Sequence, residues 1–144
     1  MTTIDFYFHA QDRLQVACRL AGKAMKQNQR VLIHVPQSEL AARIDKMLWT
    51  WPAIGFVPHC ALHSPLAAET PVLIASGAET PEGCEVLLNL GTDCPPHFER
   101  FARLLEIVDT ADREAGRNRY RFYRERGYKI TNHDLAQENA AASE

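Results

Sequence analysis

Three stretches of this chain carry residue types that do chemistry. The first, NLGTDCPPH, sets Asp93, Cys94 and His97 directly after an apolar run. A cysteine nucleophile needs a base within hydrogen-bond reach and donors for an oxyanion. Asp93, Cys94 and His97 would supply the thiol and base of a small-molecule enzyme, whereas Pro95 and Pro96 favour the plainer reading of an ordinary loop. The second stretch, HCALH, brings His59, Cys60 and His63 close together. Structural zinc takes four ligands in compact pairs, and Cys18, Cys84 and Cys94 are not spaced to complete such a set. The expectation is no metal, and four reduced thiols that behave as small hydrophobes.

The third stretch is electrostatic. Between Arg113 and Lys129 lie Arg113, Arg117, Arg119, Arg121, Arg124, Arg126 and Lys129 against Glu114 and Glu125, a local excess of five positive charges. On a helix, positions 113, 117, 120 and 124 follow i, i+4, i+7 and i+11, so Arg113, Arg117, Tyr120 and Arg124 share one stripe. Guanidinium forks pair bidentately with carboxylates, and a ring among them accepts an apolar group. The same residues suit phosphate, so direct binding of single-stranded nucleic acid by a helix that interleaves Arg with Tyr120, Phe122 and Tyr123 is an alternative. The plain reading is a solvated face whose arginine stems cover apolar surface. A further aromatic cluster, LWTWPAIGFVPH from Leu48 to His59, gathers Trp49, Trp51 and Phe56 around two prolines. Large rings on a rigid turn are what an interface hot spot uses, although single rings more often cover a sheet edge.

These residues need a scaffold, and the periodicity supplies one. IDFYFH (Ile4 to His9), RVLIHVP (Arg30 to Pro36), PVLIASG (Pro71 to Gly77), CEVLLNLG (Cys84 to Gly91) and EIVDT (Glu106 to Thr110) read as covered strands. Helical spacing marks Asp12 to Asn28, the segment from Ser38 to Trp49, a short helix from His97, and a terminal helix ending near Gly127. Apolar strands alternating with helices imply a doubly wound α/β three-layer sandwich with a mostly parallel sheet of about five strands. Such a Rossmann-like sheet often holds a nucleotide at the carboxyl ends of its strands. This chain has neither GxGxxG nor GxxxxGK[ST] to cradle phosphates, and no GxSxG elbow. The expectation is therefore no cofactor, and binding rather than catalysis.

Bulk composition agrees. A chain of 144 residues with 46% hydrophobic and 24% charged residues suits one domain, placed at residues 1–135, with 136–144 as a flexible tail. A net charge of −2 excludes a surface wholly built for nucleic acid, so any basic site is local. The opening MTTIDFYFHA has no basic leader, and no run approaches a membrane span, so a cytoplasmic protein is expected.

In order and spacing, RVLIHVP, the helix that reaches LWTWPAIGFVPH, and RYRFYRERGY resemble the chi subunit of bacterial DNA polymerase III holoenzyme, from about Ile4 to Tyr128. The most specific part is LW followed by a proline and then FVPH. The resemblance implies a non-catalytic α/β subunit of the clamp-loader assembly that takes part in DNA replication. Its implied partners are the psi subunit and the acidic, phenylalanine-ended C-terminal tail of single-stranded DNA-binding protein. Trp49 and Phe56 match aromatic positions that bind psi or, in some bacteria, a helicase-like protein, while Trp51 falls where the pattern is less fixed. Arg113, Arg117 and Tyr120 match the tail site, with Arg124 beside them, and Thr110 and Ala111 stand where an apolar pocket residue is expected.

Overall fold

A computed structural model describes residues 2–50, 58–62, 64–67, 70–77, 81 and 83–136. Its elements run β1 (Thr3–Ala10), α1 (Arg13–Lys26), β2 (Val31–His34), α2 (Ser38–Thr50), β3 (His59–Ala61), β4 (Val72–Ala75), β5 (Val86–Asn89), a 3-10 turn (Phe98–Arg100), β6 (Arg103–Asp109), α3 (Arg113–Glu125) and β7 (Ile130–Asp134). Among the described residues there are seven strands in one sheet, ordered β3-β4-β2-β5-β6-β1-β7, and every pairing is parallel.

The sheet is thus wider than the five strands that hydrophobic runs suggest. Both additional strands lie at edges. His59–Ala61 is only three residues long, and Ile130–Asp134 carries the polar sequence ITNHD, so neither has the covered apolar pattern of a central strand. The segment after His97 also differs from expectation. Its helix is a single 3-10 turn, and Arg103 to Leu105 extend β6 instead.

Strand residues alternate between two cores because successive side chains point to opposite faces. Val31 and Ile33 of β2 join Leu88, Ile107 and the inner faces of α1 and α2, including Leu14, Cys18, Ile44 and Leu48. Leu32, with Ile4, Phe6 and Leu104, faces the opposite way, toward Phe98, Phe101 and Tyr123. Helix α1 begins where Asp12 Oδ1 accepts from the backbone N–H of Leu14 and Gln15, at 3.0 and 3.3 Å.

At the carboxyl ends of β5 and β6 a side chain from α1 binds the backbone. Arg13 Nε donates to the carbonyl of Ile107 at 2.8 Å, and its two terminal nitrogens donate to Leu90 and Gly91 at 3.1 and 2.8 Å. The guanidinium thus joins the start of α1 to the ends of β5 and β6. No described helix is long and apolar enough to cross a membrane.

Candidate functional site

Helix α3 is held to the sheet by a buried polar network. Arg119, 2% exposed, donates from Nε to Glu106 Oε1 at 2.9 Å, from both terminal nitrogens to the Asp112 carboxylate at 3.1 and 2.6 Å, and to the carbonyl of Thr92 at 3.0 Å. Glu106 also accepts from the Tyr123 hydroxyl at 2.6 Å and from Asn89 at 3.1 Å. Burial pushes the Glu106 carboxyl up, and Arg119, Tyr123, Asn89 and Arg13 oppose that shift. A buried charge is tolerated only when paired and hydrogen-bonded, and here each member is.

Gly116, Arg119 and Tyr123 are the buried residues of α3, so they turn toward the sheet. At Gly116 the approach is so close that a Cβ would lie 2.7 and 2.9 Å from the two methyls of Val108 on β6. Fixing this inner face turns Arg113, Arg117, Arg121 and Arg124 outward, and all four are exposed. Arg119 therefore does not belong to the outward basic surface, although it adds to the local charge count.

Between α3 and the ends of β1, β6 and β7 lies a cavity of about 340 Å³. Phe8, Val108 and Gly116 give it an apolar interior, and Arg113 and Arg117, one helical turn apart, line it from α3. Thr110, Asp109, His9 and Asp134 complete the lining. Tyr120 stands one layer back. Its ring meets Phe6 edge-on at 5.1 Å and tilts over Phe8 at 6.1 Å, so it supports the Phe8 wall. Arg124 lies a turn further along α3, outside the cavity lining, and Ala111 lines a different depression beside Arg13 and Leu40. Phe8 and Val108 escaped the sequence reading because each looks like an ordinary strand residue. The signal for Val108 is the run Val108-Asp109-Thr110 leading directly into the basic helix, whereas Phe8 is brought to the site only by the pairing of β1 between β6 and β7.

The remaining sequence candidates are dispersed. Trp49 ends α2 with 54% of its surface exposed, its ring 4.7 Å from that of His59. His59 Nε2 in turn lies 3.1 Å from Asp45 Oδ1. Trp51, Phe56 and His63 lie outside the described residues. No group of three or more His, Cys, Asp or Glu among the described residues is placed to hold a metal. Asp93 and His97 are exposed, while Cys94 is half-buried and burial pushes its thiol up, opposite to what a nucleophile needs. The aromatic rings of α3 each make contacts within the protein. Tyr123 is buried, Phe122 lies 3.7 Å beneath the Arg126 guanidinium, and Tyr120 rests on Phe6 and Phe8.

Comparison with known proteins places the chain in a family. The model of a family described as DNA polymerase III chi subunit, HolC, matches residues 1–131. DNA polymerase III subunit chi of Pseudomonas aeruginosa is 36% identical over 141 residues, covering 94% of this chain and 98% of that protein. The subunits chi of Escherichia coli and Haemophilus influenzae are 29% and 27% identical. The Escherichia coli alignment covers 81% of each chain, and the Haemophilus influenzae alignment covers 84% of this chain and 86% of that relative.

Proposed function

The chain belongs to the DNA polymerase III chi subunit family, and from that premise we propose that it is an accessory adaptor. It joins the polymerase III assembly through a psi subunit and captures the acidic, phenylalanine-ended C-terminal tail of single-stranded DNA-binding protein. The observation that supports this reading most is the juxtaposition of Arg113 and Arg117 with an apolar slot lined by Phe8, Val108 and Gly116. A peptide that ends in Phe carries a ring and a carboxylate on one residue. The slot receives the ring, Arg117 pairs with the terminal carboxylate, and Arg113 and Arg124 attract the acidic residues upstream. Tyr120 keeps Phe8 in place from behind. On the far side of the sheet, Trp49 is the anchor for psi or a helicase-like partner, with Phe56 as its companion in the resemblance.

The test is a fluorescence titration of the protein with a labelled tail peptide, beside a peptide lacking the final Phe. Saturable binding that weakens with salt and disappears with the Phe is expected, because exposed charge pairs are screened while the ring supplies the apolar contact. Arg117→Ala is expected to be the most damaging single change on the stripe. Equal binding of both peptides, or an unaffected Arg117→Ala, would remove the basis for the adaptor reading.

A further inference from the structure

One residue of the cavity is explained neither by the basic stripe nor by the apolar slot. His9 has a φ of 62°, and at this point β1 slips out of register with β6 between Tyr7 and Ala10. A side-chain-bearing residue in the left-handed region is strained and persists only where its surroundings hold it. Irregularities of this kind re-aim side chains beside binding sites. Here the re-aimed imidazole lines the cavity, 65% exposed, with Nδ1 at 2.8 Å from Asp134 Oδ1.

Charge gives this placement a consequence. The other charged groups that line the cavity are Arg113 and Arg117 from α3, Asp109 from β6 and Asp134 from β7, two of each sign. With His9 neutral the lining is formally uncharged, and with His9 protonated it carries one net positive charge. We infer that His9 is a proton-dependent contact of this groove, whose protonation makes the lining cationic and strengthens its grip on a carboxylate-bearing peptide. The inference rests on the reading of the groove as a peptide-tail site. The neutral ring donates Nδ1–H to Asp134. The imidazolium keeps that bond and gives a second, charge-assisted N–H to the ligand. Imidazole is the side chain whose ordinary charge change falls between pH 5 and 8, a range in which peptide carboxylates stay ionised. The neighbouring His133 is engaged elsewhere, stacked on Tyr7 at 4.4 Å and 3.0 Å from Asp5 Oδ1.

The experiment measures the affinity of the full chain for an acidic peptide ending in Phe, by fluorescence anisotropy at constant ionic strength, from about pH 8 to about pH 5.5. Wild-type protein is expected to bind about two- to five-fold more tightly at the acid end, the range of an exposed charge pair. His9→Asn, which tolerates the left-handed backbone and cannot charge, is expected to lose that dependence. His9→Gln gives a second reading with a longer donor, circular dichroism verifies the fold of both, and His133→Gln is expected to retain the pH response. Wild-type binding whose pH response survives in folded His9 variants overturns the role of His9 and leaves the groove reading intact. Absence of Phe-dependent binding at every pH overturns the groove reading and this inference with it.

Discussion

Replacing Arg119 by Met separates the strut of α3 from its proposed binding face. The substitution keeps the length of the buried stem but removes donors to Glu106, to both Asp112 oxygens and to the carbonyl of Thr92. Two carboxylates then lose their main cation, one of them fully buried, while Arg13 stays 3.5 Å from Asp112. Removing one member of a buried ionic set costs about 3–5 kcal/mol. At roughly 3 °C per kcal/mol for a domain of this size, the expected fall in Tm is about 9–15 °C. Thermal and urea unfolding followed by circular dichroism would measure it. Arg117→Ala, on the exposed face, should stay within about 0.5 kcal/mol of wild type. Adding Glu106→Gln to Arg119→Met removes the orphaned charge, so part of the loss should return, with a coupling of about 1–3 kcal/mol. The reasoning fails if Arg119→Met unfolds within about 1 kcal/mol of wild type, because the guanidinium would then be no strut.

Gly116→Ala gains about 1 kcal/mol of helix propensity, but its methyl meets the stiff Val108 side chain at 2.7 Å. Overpacking of this kind costs about 1–3 kcal/mol, so urea unfolding should show a small net loss and calorimetry a several-fold drop in tail affinity. Burial holds the His34 imidazole below its ordinary range, so the unfolded chain takes up a proton first as pH falls. Its contribution is present above about pH 6.5 and is lost below it, and His34→Leu should flatten the pH dependence of the urea midpoint relative to wild type. Trp49→Ala should change stability by less than about 1 kcal/mol, since the ring is 54% exposed, yet weaken psi binding by about 2 kcal/mol or more as a hot spot would. Co-purification of the variant with psi at wild-type yield would refute that role.

Much of the scaffold was legible because its signals are local. The apolar runs of β2, β4 and β5 and the 3.6-residue spacing of α1 and α2 each report their own burial along the chain. The polar edge strand β7 was not, since ITNHD acquires a strand conformation only by pairing with β1 from Ile4 to Phe8. The site divides in the same way. Helical geometry alone puts Arg113 and Arg117 one turn apart. That Phe8, 105 residues upstream of Arg113, supplies the wall opposite follows from β1 lying between β6 and β7.

The sequence by itself determined the alternation of strands and helices, the absence of phosphate-binding motifs and the concentration of positive charge near the end of the chain. Only the tertiary structure decided which of those charges face solvent. Arg117 and Arg119 are two residues apart on one helix and chemically identical; helical spacing sets them on different faces but does not say which face turns inward. Arg119 is drawn inward because β6 brings Glu106 beneath it and the turn before α3 brings Asp112 alongside. A guanidinium leaves water only where carboxylates and carbonyls replace its hydration, and that condition is met here by contacts between elements rather than along one.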